Sequence, residues 1–167
     1  MTTTTRSTPS FSTRIDVDAD ARAELIALLN QQMADNADLY SQTKQAHWNV
    51  KGQHFMQLHL LYDQVAAVIE PFTDEIAERV TALGGYATGT VRMAAEASTL
   101  PEFPMDAISD TATLEALADR WAAYAASTRA AIERAAQIGE PTSEDLFTEI
   151  SREVDKALYF LESHLQG

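Results

Sequence analysis

The sequence contains no cysteine. That excludes disulfide staples and leaves any metal chemistry to histidine and carboxylate ligands; it also fits a reducing compartment. There is no run of 18 apolar residues, so no membrane span is expected. The N-terminus lacks the apolar core of a secretory signal. Its Thr/Ser/Arg-rich, acid-poor makeup has a faint likeness to an organelle transit peptide, but we read it as a disordered polar tail. Period-two alternation is missing throughout, so strands are not expected, and no internal repeat is found. Basic residues are scarce: 12 Lys and Arg stand against 25 Asp and Glu, giving a net charge of −13. Such a body attracts cations and repels phosphate backbones, which argues against nucleic acid as its main partner.

What is present is a chain of 167 residues, the length of a single domain. At that size folding buries about 70% of the surface the unfolded chain exposes, enough for a core without staples. We assign residues 1–15 to the tail and 16–167 to one helical domain. Asp16, Asp18 and Asp20 crowd a helix start, where acids favour the dipole. A first helix is expected from about Asp20 to Trp48, with Leu25, Leu29, Met33, Tyr40, Thr43 and His47 near one face. A second runs from Phe55 to Leu83, where apolar residues recur at steps of three and four, and Gly84-Gly85 closes it. The connection from Tyr86 to Asp110 is too long for a hairpin. It can cross the bundle and carry a short helix, Val91 to Ala97, with Pro101 and Pro104 breaking anything longer. Asp110 or Thr111 is expected to cap a third long helix reaching about Gln137. Gly139 stops it, and a fourth runs from Pro141 to about Leu165.

The second helix carries the candidate chemistry. His59 and Asp63 are four residues apart, and Asp74 and Glu78 repeat the spacing. At about 100° per residue all four fall in one sector beside the apolar stripe, so partial burial is expected. Buried carboxylates are costly unless paired or bound to a metal. Imidazole with carboxylates suits iron, manganese or zinc. The same spacing also occurs in solvated pairs and ordinary charged faces, and spacing alone leaves both readings open.

Four long helices with one crossover between the second and third describe an all-α, ferritin-like four-helix bundle, the short extra helix lying in the crossover. No Glu-x-x-His occurs, so the di-iron site usually held inside such a bundle is not supported.

The run Lys44-Gln45-Ala46-His47-Trp48-Asn49-Val50-Lys51-Gly52, followed by Phe55, His59, Asp63, Asp74-Glu75-Ile76-Ala77-Glu78-Arg79 and Leu83-Gly84-Gly85, closely resembles the Dps family. These are the DNA-binding proteins from starved cells, or mini-ferritins. Asp145-Leu146-Phe147 and Ser151-Arg152 fit that family's last helix. The resemblance implies a homo-dodecameric shell with ferroxidase activity. Fe(II) is oxidised, preferably by hydrogen peroxide, and stored as ferric mineral, protecting the cell from oxidative damage. It implies iron ligands at His47, His59, Asp63, Asp74 and Glu78, where zinc or another divalent ion also fits. Trp48 matches an aromatic beside the centre, or else is a bulky core residue at a helix end. His54 is a candidate auxiliary site, His164 an exposed terminal residue, Glu70 structural. Asp145 and Glu149 are candidates for acid-lined pores, or else a solvated charged face. Family members that bind DNA tightly have a lysine-rich tail. Here the first 14 residues hold Arg6 and Arg14 and no lysine, so DNA binding is expected to be weak or absent. Two alternatives stand: a DNA-compacting nucleoid protein whose iron oxidation is secondary, and a helical adaptor without metal chemistry. A cytoplasmic location is expected, with nucleoid association left open.

Overall fold

The computed structural model describes residues 8–166. Five helices follow in order: α1 (Ala19–Asn49), α2 (Phe55–Ala82), the short α3 (Val91–Ala97), α4 (Asp110–Ile138) and α5 (Pro141–Ser163). The four long helices pack in a ring, α1 against α2 and α4, and α5 against α4 and α2. The crossover lays α3 on α1. Among the described residues there is no strand, only an isolated bridge between Lys51 and Ser109. No described helix is long and apolar enough to cross a membrane.

Local chemistry sets the boundaries. Asp18 opens α1 by accepting from the amides of Asp20 and Ala21. Gly139, at φ 80°, ends α4 in the left-handed region open to glycine. Glu140 then caps α5, accepting from the amides of Thr142 and Ser143, with Pro141 at the first helical position. The start of α4 corrects the expectation: the cap is Ser109, which accepts from the Ala112 amide, rather than Asp110 or Thr111. The Asp110 carboxylate is turned away from its own helix and accepts from the His54 amide at 3.0 Å.

Inward faces of all four long helices form one core, with Trp121, Tyr62, Tyr124 and Phe147 fully buried. The indole of Trp121 donates to Thr43, and the Tyr62 hydroxyl meets Thr113 at 2.9 Å, so these polar tips are paired. Pro71 sits inside α2, where it removes a backbone donor. From α1, buried Asn36 donates to Ile69 O and to Thr73 Oγ1, both at 2.8 Å, and so braces α2 on either side of the proline. Asp35, also buried, accepts from the Thr99 amide at 2.7 Å and ties the crossover to α1.

Of the segment expected to be disordered, residues 1–7 lie outside the described residues. Thr8 to Ser10 are exposed, and the chain is docked from Phe11 onward. Phe11 N–H donates to Gly84 O at 2.8 Å, and Ile15 and Val17 pack on the core. Gly84 has φ +81°, and a Cβ there would lie 2.3 Å from Phe11 O, so only glycine fits this crossing.

Candidate metal centre

The last two turns of α1 carry Lys44, His47 and Trp48; the first turns of α2 carry Phe55, His59 and Asp63. A tight reversal between the helices sets the His47 and His59 rings face to face, 3.8 Å between centroids and 19° from parallel. Each ring is held by the other residue's backbone. His47 Nδ1 lies 2.7 Å from His59 O, and His59 Nδ1 lies 2.9 Å from His47 O. A carbonyl oxygen can only accept, so both Nδ1 atoms carry the proton and donate. In the neutral ring this tautomer leaves the lone pair on Nε2, the form in which imidazole binds a metal.

Asp63 lies one turn along α2. The Lys44 ammonium is bonded to its Oδ1. That hydrogen bond is the main reason the Asp63 carboxyl is held below the usual carboxylate range; desolvation opposes it, and the charge of Lys44 and, when protonated, of the two imidazoles adds to it. Lys44 was not singled out from the sequence as part of the site. Its position three residues before His47, on the same face of α1, was the available signal.

Asp74 and Glu78 lie beyond Pro71 on the distal half of α2. Among the described residues, no three His, Asp or Glu come close enough together to hold a metal ion within one chain. The structure therefore pairs His47 with His59 and leaves Asp74 and Glu78 apart. The expectation of partial burial holds for His59 only; Asp63, Asp74 and Glu78 are exposed. The apolar stripe turns into the bundle, and the neighbouring sector lies just outside the contact with α1 and α5.

Glu78 instead lines a shallow groove of ≈ 440 Å³ together with Glu75, Asp145 and Glu149, where α2 meets the start of α5. Arg79, beside it, is turned inward: it pairs with Glu140 at 2.9 Å and donates to Ser143 at 3.1 Å. Trp48 is 62% exposed, which overturns its reading as a core aromatic. With Lys44, Glu70, Thr73 and Val91 it borders a mostly apolar cleft of ≈ 570 Å³. His54 points outward and pairs with Asp110 at 3.0 Å. His164 is exposed at the end of α5, where its Nδ1 donates to Phe160 O at 2.7 Å.

The family model for the ferritin-like domain matches residues 26–167. The DNA protection during starvation protein of Agrobacterium fabrum is 39% identical over 157 residues, covering 94% of this chain and 97% of that protein. The chain belongs to the Dps family of the ferritin-like superfamily. Solved structures agree. DpsC from Streptomyces coelicolor superposes with a TM-score of 0.89 at 29% identity, covering 97% of this chain and 95% of that one. The archaeal Dps homologue from Halobacterium salinarum gives 0.88 at 27% identity, covering 98% and 91%. The all-α, ferritin-like fold read from the helix pattern is thus the fold of the Dps family, crossover helix included.

Proposed function

We propose that this Dps-family chain is a mini-ferritin subunit that oxidises Fe(II), preferably with hydrogen peroxide, and retains the ferric product inside a dodecameric shell. One observation carries the reading: two imidazoles with free Nε2 atoms and Asp63 stand at one end of α2, while two exposed carboxylates stand at the other, and among the described residues no further His, Asp or Glu completes either half. Two α2 helices crossing antiparallel about a twofold axis near Ile69 would join each half to its complement, giving two equivalent sites per dimer.

Iron enters here as substrate, and the donor set suits it; zinc or another divalent ion would compete for the same atoms. His47 and His59 would supply neutral nitrogen ligands, their rings already held by the crossed hydrogen bonds. Asp63, Asp74 and Glu78 would supply anionic oxygen, which favours the higher charge of Fe(III). The reaction balances as two Fe(II), one peroxide and two protons giving two Fe(III) and two waters; two irons held side by side would deliver both electrons to one peroxide together, the route that releases no hydroxyl radical. The Agrobacterium relative is named for DNA protection; we assign protection here to the removal of iron and peroxide rather than to coating DNA. The net charge of −13 supports that choice.

Anaerobic Fe(II) mixed with peroxide tests this directly. The ferric absorbance should rise with about one peroxide consumed per two iron ions, on a particle with the mass of a dodecamer. A particle that neither consumes peroxide nor accumulates ferric absorbance would leave the helical-adaptor reading.

A further inference from the structure

The reversal that joins α1 to α2 is fastened to the first turn of α4. Lys51 N–H donates to Ile108 O at 2.8 Å. His54 donates twice to a single oxygen, Asp110 Oδ2, from its backbone N–H and from ring Nδ1, each at 3.0 Å. Gly52 lies flat against the same carboxylate: a Cβ there would sit 2.1 Å from Asp110 Oδ1. That oxygen is buried and takes no hydrogen bond. Asp110 is not needed to cap α4, because Ser109 does so. Its carboxylate is spent on the loop.

The loop's two arms end at His47 and His59. The crossed bonds between their rings and carbonyls form only when the arms are in register, since each ring must meet the opposite carbonyl. We propose that Asp110 is a positioning residue for the metal site: by holding Gly52 and His54 on α4, it sets the register of the His47–His59 pair and so the direction of both Nε2 lone pairs. The inference rests on the proposed function for the claim that this pair binds metal. Asp110 itself touches no metal.

Co(II), added to the assembled particle, is the probe, because its visible spectrum reports ligand geometry. Asp110→Ala should keep particle mass and helix content. It should weaken Co(II) binding about 10-fold, the lower end of what losing a group bonded directly to a ligand costs, because Asp110 acts through Gly52 and His54, and alter the Co(II) spectrum. Amide exchange across residues 47–59 should quicken, and in Fe(II) oxidation KM should rise more than kcat falls. Asp110→Asn, which still offers an oxygen to the His54 amide, should restore most of the affinity. Wild-type Co(II) affinity, spectrum and exchange in Asp110→Ala would overturn the proposal. If Asp110→Ala does not assemble, Asp110→Ser replaces it with the same two outcomes. His59→Ala is the control for the underlying reading. Co(II) binding unchanged in that variant would show that the pair is not a metal site, and the proposal would fall with it. Lost binding in His59→Ala beside normal binding in Asp110→Ala would overturn the positioning role alone.

Discussion

Lys44 bears on the proposed role of Asp63, because the two side chains form an ion pair. The ammonium sits on the carboxylate that a metal would need. It lowers the pKa of Asp63, yet it competes with any incoming cation. Lys44→Met removes the competitor, and Asp63 stays charged at neutral pH without it. Zinc affinity, measured by calorimetry at pH 7, should therefore tighten roughly two- to fivefold, the range of an exposed ion pair. Weaker zinc binding in that variant would mean that Lys44 assists the site. None of this competition was legible in the sequence, which places Lys44 on the right face of α1 but not its ammonium on a carboxylate of another helix. The crossed His47–His59 bonds were hidden for the same reason. Spacing within α2 gave His59 and Asp63 together, whereas His47 joins them only through a reversal whose closure depends on Asp110, 56 residues from His54.

At the scale of elements, periodicity and breakers were highly informative. The three-and-four rhythm from Phe55, ended by Gly84, marks α2 to within a residue, and Val91–Ala97 is α3 as expected. The miss at Ser109 is one of competition: Asp110 and Thr111 are also good caps in sequence, and only the tertiary pairing of Asp110 with the loop shows which residue is free to cap. The start of α5 holds the ionisable group with the clearest effect on stability. Burial disfavours the Glu140 charge, but the Ser143 hydroxyl, the Arg79 guanidinium and the Ser143 and Thr142 amides outweigh it and lower its pKa from 4.5 to about 2. A depressed carboxylate stabilises the fold fully above its unfolded pKa and loses that contribution as pH falls through the folded one. Stability should thus drop by about 3 kcal/mol between roughly pH 4.5 and pH 2 from this group alone. Urea unfolding at several pH values checks it: Glu140→Gln should be less stable at pH 7 and show a flatter decline through that window. A decline as steep as the native protein's would remove Glu140 from the acid response.

The whole molecule is governed by charge and by distance. From the net charge of −13 and two arginines, Arg6 and Arg14, in the first 14 residues, we predict that DNA is held weakly and only through several subunits acting together. Phosphate contacts of that kind weaken steeply with salt, so a gel shift at about 0.15 M salt should retain little duplex. A tight shift there would promote the nucleoid-protein alternative. Distance decides where the metal can sit. Asp63 and Asp74 are eleven residues apart on one helix, about 16 Å along its axis, and metal–ligand bonds are about 2 Å. Pro71 does not fold α2 back on itself; it stays one helix from Phe55 to Ala82. The two halves must therefore meet across two chains if they meet at all. Co-assembly of His59→Ala with Glu78→Ala tests this most directly. In a mixed dimer one site lacks both ligands and the other keeps every native one. A shared site predicts that verified mixed shells recover part of the ferroxidase activity that each variant lacks alone. Mixed shells as inactive as their parents would contradict it.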